Sequence, residues 1–395
     1  MLHAGALDSI HLRRWAELTG DLGHQVSIAG HLRAGFAAAV DASAQVHVSP
    51  QLRWASTRHA QRTGRRRDVM FASLPNPAVE VPMLAAWLRR LVGRLRPDLI
   101  HAHWLPHWGA AAALAGGPPL VAGAWGSDIY DLRGVRRWLA GLTLARAEFV
   151  VAPSPHAAGA LSSRSGRAGR VFHLEQGLDL DAFRPPSPEE REAARARLGV
   201  ADGPAVLSFR TSAPVYRLPL VVEAFRRLLA QRPDARLLMV HGALPLDNAT
   251  AAVLAGLGDS VRVLGEASPE EMRTCFHAAD VGVSVPSSDG SPNSVWECLA
   301  SGTPVVCSDL PQLRERFSPG EGAVFATSDS GAVAHALEGV VADSARAHGL
   351  GAAGRTWCEA NVDRRDSMPR LDALYRGAVR DRACARAGSR PGARA

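Results

Sequence analysis

The sequence contains no lysine; all 45 of its basic residues are arginine. Every cationic role, whether pairing a carboxylate or holding an anion, therefore falls to a guanidinium or a protonated imidazole. Cysteine is scarce as well. The five present, Cys275, Cys298, Cys307, Cys358 and Cys384, all lie in the second half, are odd in number and show no C-x-x-C spacing. That pattern excludes a disulfide scaffold and fits a reduced, cytoplasmic chain. Long apolar runs are missing too: the most apolar stretch, Ala110 to Ala124, is broken by glycine and proline, so no segment is expected to span a bilayer. The opening MLHAGALDSIHLRRW lacks the charged start and apolar core of a secretory leader.

What is present is a chain of 395 residues with 47% apolar content, enough for two cores of roughly 150–200 residues each. Its formal charge of +7 is unevenly spread. Residues 1–176 carry 20 Arg against 11 acidic residues, whereas residues 177–395 carry 25 against 27. The positive charge is dispersed over one half and is not a stripe interleaved with aromatics, so nucleic acid is not an expected partner. Arg89, Arg90, Arg94 and Arg96 cluster around Trp87, and Arg65, Arg66 and Arg67 form a second group. A basic helix with an aromatic suits peripheral contact with an anionic membrane at its inner face; a solvated basic surface is the alternative.

Short β-rich apolar runs alternate with longer amphipathic ones, the pattern of a parallel sheet covered by helices on both faces. In the first half, strands are expected at MLHAGA, HQVSIAG, VHVSP, DLIHAH, PLVAGA, EFVVAP and RVFHL. The first is shorter than its neighbours, so a start some residues upstream is expected. A second series follows at AVLSF, RLLMV, VRVLG, DVGVSV, TPVVCS and GAVFA. Between the two, GLDLDAFRPPSPEE combines glycine, consecutive prolines and a charge run, and reads as a linker. The expected organisation is α/β with two Rossmann-like doubly wound domains, over 1–176 and 201–360. A hinge-like linker over 177–200, a C-terminal helix over 361–380 crossing back to the first domain, and a disordered tail over 381–395 complete it. Tandem sheets of this kind can face one central cleft with the carboxyl ends of their strands, where such sheets bind ligands.

The stretch SVPSSDGSPNSVWECLASGTPVVCSDLPQL, Ser284 to Leu313, reads as strand, loop, helix and strand, with Pro292 at the first helical position and Gly302 beyond the last turn. The amides of Asn293, Ser294 and Val295 then lack intrahelical partners, and with the helix dipole they suit an anion such as a diphosphate. Asp289 in the loop and Glu297 on the second turn flank that position, where carboxylates can accept hydrogen bonds from sugar hydroxyls. A capping Asp289 with a surface Glu297 remains open as the other reading of the spacing.

The same stretch resembles the E-x7-E signature of the family 4 retaining glycosyltransferases through Asp289, Gly290, Pro292, Asn293, Glu297, Gly302, Pro304, Val305 and Val306, with Asp in place of the usual first Glu. The segments HLRRWAELTGDLGHQVSIAG, RPDLIHAHW, EQGLDLDAFRP and SFRTSAPVYRLPLVVEAF are similar to family elements in the family's order. The resemblance implies a GT-B fold and retaining transfer of a hexose from a UDP- or GDP-type nucleotide diphosphate sugar. The acceptor would be a glycan, lipid-linked or small-molecule hydroxyl, and no metal or other cofactor would be needed. By the same resemblance Glu297 binds the nucleotide ribose, while Asp289 and the backbone of Gly290, Ser291, Pro292, Asn293, Ser294 and Val295 hold donor sugar and diphosphate. Gly265, at the end of VRVLG, is assigned to the same donor site. Arg210 matches the family's arginine on the diphosphate, and in a lysine-free chain Arg217 is the candidate for the second cation.

A leaving diphosphate gathers negative charge as the anomeric bond breaks, so donors preorganised around it favour the transition state over the ground state. Asp179-Leu180-Asp181 matches a metal-binding Asp-x-Asp pattern literally but falls in the expected linker, so no metal is expected there. On the acceptor side, AWGSDIY stands where many relatives have His-Gly-x-Asp, with Trp125 at the His position followed by Gly126 and Asp128. His11, His103 and Ser154 are further polar candidates, and Trp54, Trp104 and Trp108 are candidates for stacking on an acceptor; for each, a structural role is the alternative. Two other functions stay open: a nucleotide-sugar epimerase or hydrolase on the same fold, and a non-catalytic nucleotide-sugar or glycan binder, which Asp289 and Trp125 together favour.

Overall fold

The computed structural model describes residues 1–7, 9–31, 44–49, 77–130, 132–166, 168–200, 203–242, 245–318 and 320–388. Each apolar run named above forms a strand, and each strand pairs in parallel with its neighbours. β1 (Leu2–Ala6), β2 (Ser27–His31), β3 (Gln45–Val48), β4 (Ile100–His103), β5 (Leu120–Gly123), β6 (Phe149–Ala152) and β7 (Val171–His173) build one sheet in the order β3-β2-β1-β4-β5-β6-β7. β8 (Ala205–Ser208), β9 (Arg236–Val240), β10 (Val261–Gly265), β11 (Val281–Ser284), β12 (Val305–Ser308) and β13 (Ala323–Ala326) build a second in the order β10-β9-β8-β11-β12-β13. The strands read as unbroken apolar runs because helices cover both faces: Val121, Ala122, Val206, Leu207, Val305 and Val306 are all fully buried. In each sheet the winding direction reverses once, between β1 and β4 and between β8 and β11. Loops leaving those strands are placed where doubly wound sheets bind ligands.

The chain divides into two compact units, Met1–Gln176 with Arg365–Ala395, and Gly177–Arg364. Residues 177–200 are not a free linker. Leu178, Leu180, Phe183, Ala194 and Leu198 are buried in the core of the second unit, and Pro188–Leu198 is a helix whose start is closed by a capping box between Ser187 and Glu190. The widely spaced apolar residues of this segment outweigh its prolines and charges. The helix Arg364–Gly388 belongs to the first unit from Arg365 onward, where Met368, Leu371 and Tyr375 join Trp15, Val121 and Phe149 in one hydrophobic cluster. The tail expected to be disordered from residue 381 is helical through Gly388. Alanine and arginine are strong helix formers, no breaker intervenes in DRACARAG before its glycine, and Arg382 pairs with Glu148 at 3.6 Å. No helix among the described residues is long and apolar enough to cross a membrane.

Candidate functional site

In the second unit, the loops that leave β8 and β11 meet at the point where the strand order reverses. Arg210, two residues beyond β8, is 8% exposed, and its Nη2 donates to Asp289 Oδ2 at 2.6 Å while its Nη1 donates to Ser294 Oγ at 3.0 Å. Its guanidinium also lies over the Tyr216 ring, 4.2 Å from the centroid. Burial opposes the charge on Arg210, but Asp289 and Tyr216 outweigh it and hold its pKa above the ordinary arginine value. Asp289 is held in turn: its Oδ1 accepts from the Gly290 amide at 2.9 Å and its carbonyl accepts from Gln312 Nε2 at 2.6 Å. The Ser287 amide donates to Val215 O at 2.8 Å, so both loops are tied together by main chain as well as by the ion pair.

The helix that carries the signature is Asn293–Ala300, and Pro292 is its N-cap, with no side-chain cap bond, so proline sits one position earlier than expected. Two of the three amides expected to be without partners are engaged: Asn293 donates to Ser291 O at 3.1 Å and Val295 to Pro292 O at 2.8 Å. A tight first turn satisfies them, which leaves Ser294 as the amide of the three without such a bond. Glu297 is 5% exposed, which removes the reading of a surface residue, and it lies three positions after Ser294 on the same helical face. Asp289 does not cap the helix; it pairs with Arg210. Ser291 accepts from the Trp296 indole at 3.0 Å.

Arg217 adopts a left-handed backbone, φ 52°, at the N-cap of the helix Leu218–Gln231, and its guanidinium donates to Ser328 Oγ. A non-glycine residue held in that region marks a position over-determined by its surroundings, of the kind found at binding sites. Gly265 ends β10, two strands from β8, with φ 66° and open space where a side chain would stand. Asp179 receives the Asp181 amide at 3.1 Å and pairs with Arg364 at 2.9 Å.

In the first unit the acceptor-side candidates separate by role. Asp128 is fully buried, with its carboxylate accepting the amides of Trp125 at 2.8 Å, Gly126 at 2.9 Å and Leu105 at 3.0 Å. Burial raises its pKa against those three bonds, and its part is to pin the loops after β4 and β5. Gly126, at φ 145°, takes a conformation that favours glycine. Ser154 caps the helix Pro155–Ser165 by accepting the Ala157 amide at 3.1 Å. Trp108 is a core residue, 1% exposed. His11 meets the Trp125 ring edge-on at 4.8 Å, and His103 lies 5.5 Å from the same ring, but His103 is buried. Trp104 has φ 80° and opens a π-turn over Leu105–Gly109, a wide turn common near functional positions. Trp87 packs against the core, while Arg89, Arg90, Arg94 and Arg96 are exposed, Arg89 donating to the carbonyls of Leu114 and Ala115. Trp54, Arg65, Arg66 and Arg67 lie outside the described residues.

Tyr216, Gln312 and Ser328 are neighbours of the candidate residues that the sequence reading missed. They stand on three separate loops and short turns, and no spacing links them to the signature; only the fold brings them to it.

Two parallel doubly wound sheets in tandem, the second with an arginine and a carboxylate paired at its switch point, are the architecture of the GT-B fold. Residues 9–182 match the model of Glycosyltransferase Family 4, and residues 190–357 match that of Glycosyl transferases group 1. The chain is 30% identical over 317 residues to a D-inositol 3-phosphate glycosyltransferase of Catenulispora acidiphila, covering 71% of this chain and 72% of the relative. It is 28% identical to a GDP-mannose-dependent alpha-(1-6)-phosphatidylinositol monomannoside mannosyltransferase of Mycolicibacterium smegmatis, covering 80% and 86%. Against several other curated relatives the match spans about half of either chain. Among solved structures, sucrose-phosphate synthase of Thermosynechococcus elongatus superposes with a TM-score of 0.76 at 20% identity, covering 95% of this chain and 98% of that one. The chain belongs to family 4 of the glycosyltransferases.

Proposed function

We propose that this enzyme transfers a hexose, with retention and without a metal ion, from a nucleotide diphosphate sugar to a hydroxyl of a lipid-linked, glycan or small polyol acceptor. The observation that carries the reading is the buried fork of Arg210, bonded to Asp289 and Ser294 where the Asn293–Ala300 helix begins. A guanidinium offers five N–H donors, so Arg210 can hold a phosphate oxygen while it keeps its carboxylate in place. Arg217 is the second cation of the leaving diphosphate, Ser294 supplies the helix-start amide, Asp289 faces the donor sugar and Glu297 takes the ribose. Supporting GDP-mannose as the first donor to test is a relative that uses it and aligns with most of this chain. An inositol-type or phosphoinositide acceptor has the same kind of support.

Peripheral membrane contact fits a lipid-linked acceptor. The helix Gly134–Arg146 offers a suitable face, with Trp138 66% exposed, Val135 exposed one turn away, and Arg133 and Arg137 beside them.

The test is a transfer assay across GDP- and UDP-hexoses with inositol-type acceptors, with the anomeric configuration of the product read by NMR and a chelator present in a parallel arm. Arg210→Ala is expected to lower the transfer rate by about two to three decades, the usual loss for one preorganised donor, and Glu297→Ala, which removes the acceptor of the ribose hydroxyls, to lower kcat/KM for the nucleotide sugar by about one to two decades. If both variants turn over at the unsubstituted rate, the assignment is wrong.

A further inference from the structure

Three histidines of the first unit come together in its interior, and none of them is assigned above to the donor. His3 on β1 and His101 on β4 are direct cross-strand partners, and His103 follows His101 by two residues, so all three side chains leave the sheet on one face. His3 and His101 are fully buried and His103 is 1% exposed. One ring nitrogen from each lies within 4.8 Å of the other two. The neighbouring residues of the same strands, Leu2, Ala4, Ile100 and Ala102, point to the other face and form ordinary apolar core. Apolar side chains would fill the histidine face as readily, so three imidazoles there need a partner chemistry that a hydrophobic core does not supply.

The outer hydrogen bonds of the cluster orient the rings. Thr19 donates its hydroxyl proton to the carbonyls of Trp15 or Ala16, at 2.9 and 3.0 Å, so its oxygen accepts from His3 Nε2 at 2.9 Å. That leaves a lone pair on His3 Nδ1, which accepts the N–H of His103 Nε2 at 3.0 Å, a hydrogen bond that a bound ion would replace. His101 Nδ1 meets the Tyr375 hydroxyl at 2.7 Å, while its Nε2 and the Nδ1 of His103 are buried and have no hydrogen-bond partner. Both of these orphaned nitrogens border Gly123: a side chain added there would come within 3.1 Å of one and 3.2 Å of the other. An imidazole ligates metal through a ring nitrogen that carries no proton.

We propose that His3, His101 and His103 form a binding site for a first-row divalent transition-metal ion such as Zn²⁺. His3 coordinates through Nδ1 and His101 through Nε2, and Thr19 and Tyr375 take up the opposite ring N–H groups, as outer partners of metal-bound histidines commonly do. Three imidazoles and a fourth, non-protein position suit Zn²⁺, Co²⁺ or Ni²⁺ over hard, oxygen-preferring cations. The ion fastens β1 and β4 to the helices Ile10–Asp21 and Arg364–Gly388, which carry Thr19 and Tyr375. It plays no part in leaving-group chemistry, so a retained ion and chelator-insensitive transfer are compatible.

The full chain, purified without a histidine tag and stripped with a chelator, is titrated with Zn²⁺ and passed through a desalting column before elemental analysis. About one retained Zn²⁺ per chain is expected, with a rise in melting temperature, and Co²⁺ in its place should show visible d–d bands of a nitrogen-ligated ion. His101→Gln and His3→Gln should each lose that equivalent, whereas His335→Ala and His348→Ala, at exposed positions, should keep it. Retention far below one equivalent by the unsubstituted chain overturns the proposal whether or not the variants fold. So does retention that is unchanged in both His101→Gln and His3→Gln.

Discussion

Arg210 illustrates how one side chain serves stability and binding together. It is buried against Asp289, and removing one member of a buried pair strands the other charge, at a cost of about 3–5 kcal/mol. Arg210→Gln should therefore lower both transfer and the denaturation midpoint, while Arg210→Gln with Asp289→Asn should recover much of the stability and none of the transfer. A double-mutant cycle on both readouts separates the two effects. The sequence motif named Arg210, Asp289 and Glu297, because their identities are carried by short spacings. It did not pair Arg210 with Asp289, 79 residues away, or bring Tyr216 and Gln312 to them.

Glu80 is a second residue-scale case. It is buried 3.7 Å from His107, and burial raises its pKa to about 8, while His107 is held neutral by its own desolvation. The folded chain thus keeps a proton that the unfolded chain has lost between about pH 4.5 and 8, so this group makes stability fall as pH rises through that window, by at most about 1.4 kcal/mol per unit. Glu80→Gln should flatten the slope. Denaturant midpoints measured from pH 5 to 8 check it, and an unchanged slope would sink the assignment.

At the scale of elements, the helix Ser344–Asn361 packs on the second sheet's loops through glycine. A side chain at Gly351 would stand 2.0 Å from the Gly302 carbonyl, and one at Gly354 would press on Gly322 and Leu299. Gly302, φ 78°, ends the turn after the signature helix, so the contact also fixes where that helix stops. Gly351→Ala should cost about 1–3 kcal/mol by overpacking. Gly349→Ala, with nothing near it, should be neutral or stabilise by about 0.5–1 kcal/mol, since alanine is the better helix residue. Urea denaturation of both variants distinguishes crowding from propensity. The strands were legible because each is a short apolar run bounded by turn residues. The segment 177–200 was misread because composition reports solubility, whereas Leu178, Leu180 and Phe183 bury one residue at a time.

For the whole molecule, the return of the C-terminal helix sharpens the charge division. The first unit holds 28 Arg against 14 acidic residues and the second 17 against 24, a contrast of +14 to −7. If the first unit docks on anionic lipid, sedimentation with phosphatidylglycerol vesicles should exceed that with neutral ones. It should fall steeply between about 0.05 and 0.3 M salt, as screening shortens the reach of surface charge. Trp138→Ala should weaken it further. Equal sedimentation with neutral and anionic vesicles removes the membrane reading.

Periodicity, composition and one spaced motif determined, from the chain alone, the α/β class, the thirteen strands of the described residues and the family, because these are written in residues that are near neighbours. Which side chains touch was decided by the strand order and by the helix that returns to the first unit. Tyr375 reaches His101 across 274 positions, and Arg210 meets Asp289 only because β8 and β11 lie side by side. Local pattern records what each segment prefers; burial and pairing depend on the segments it meets.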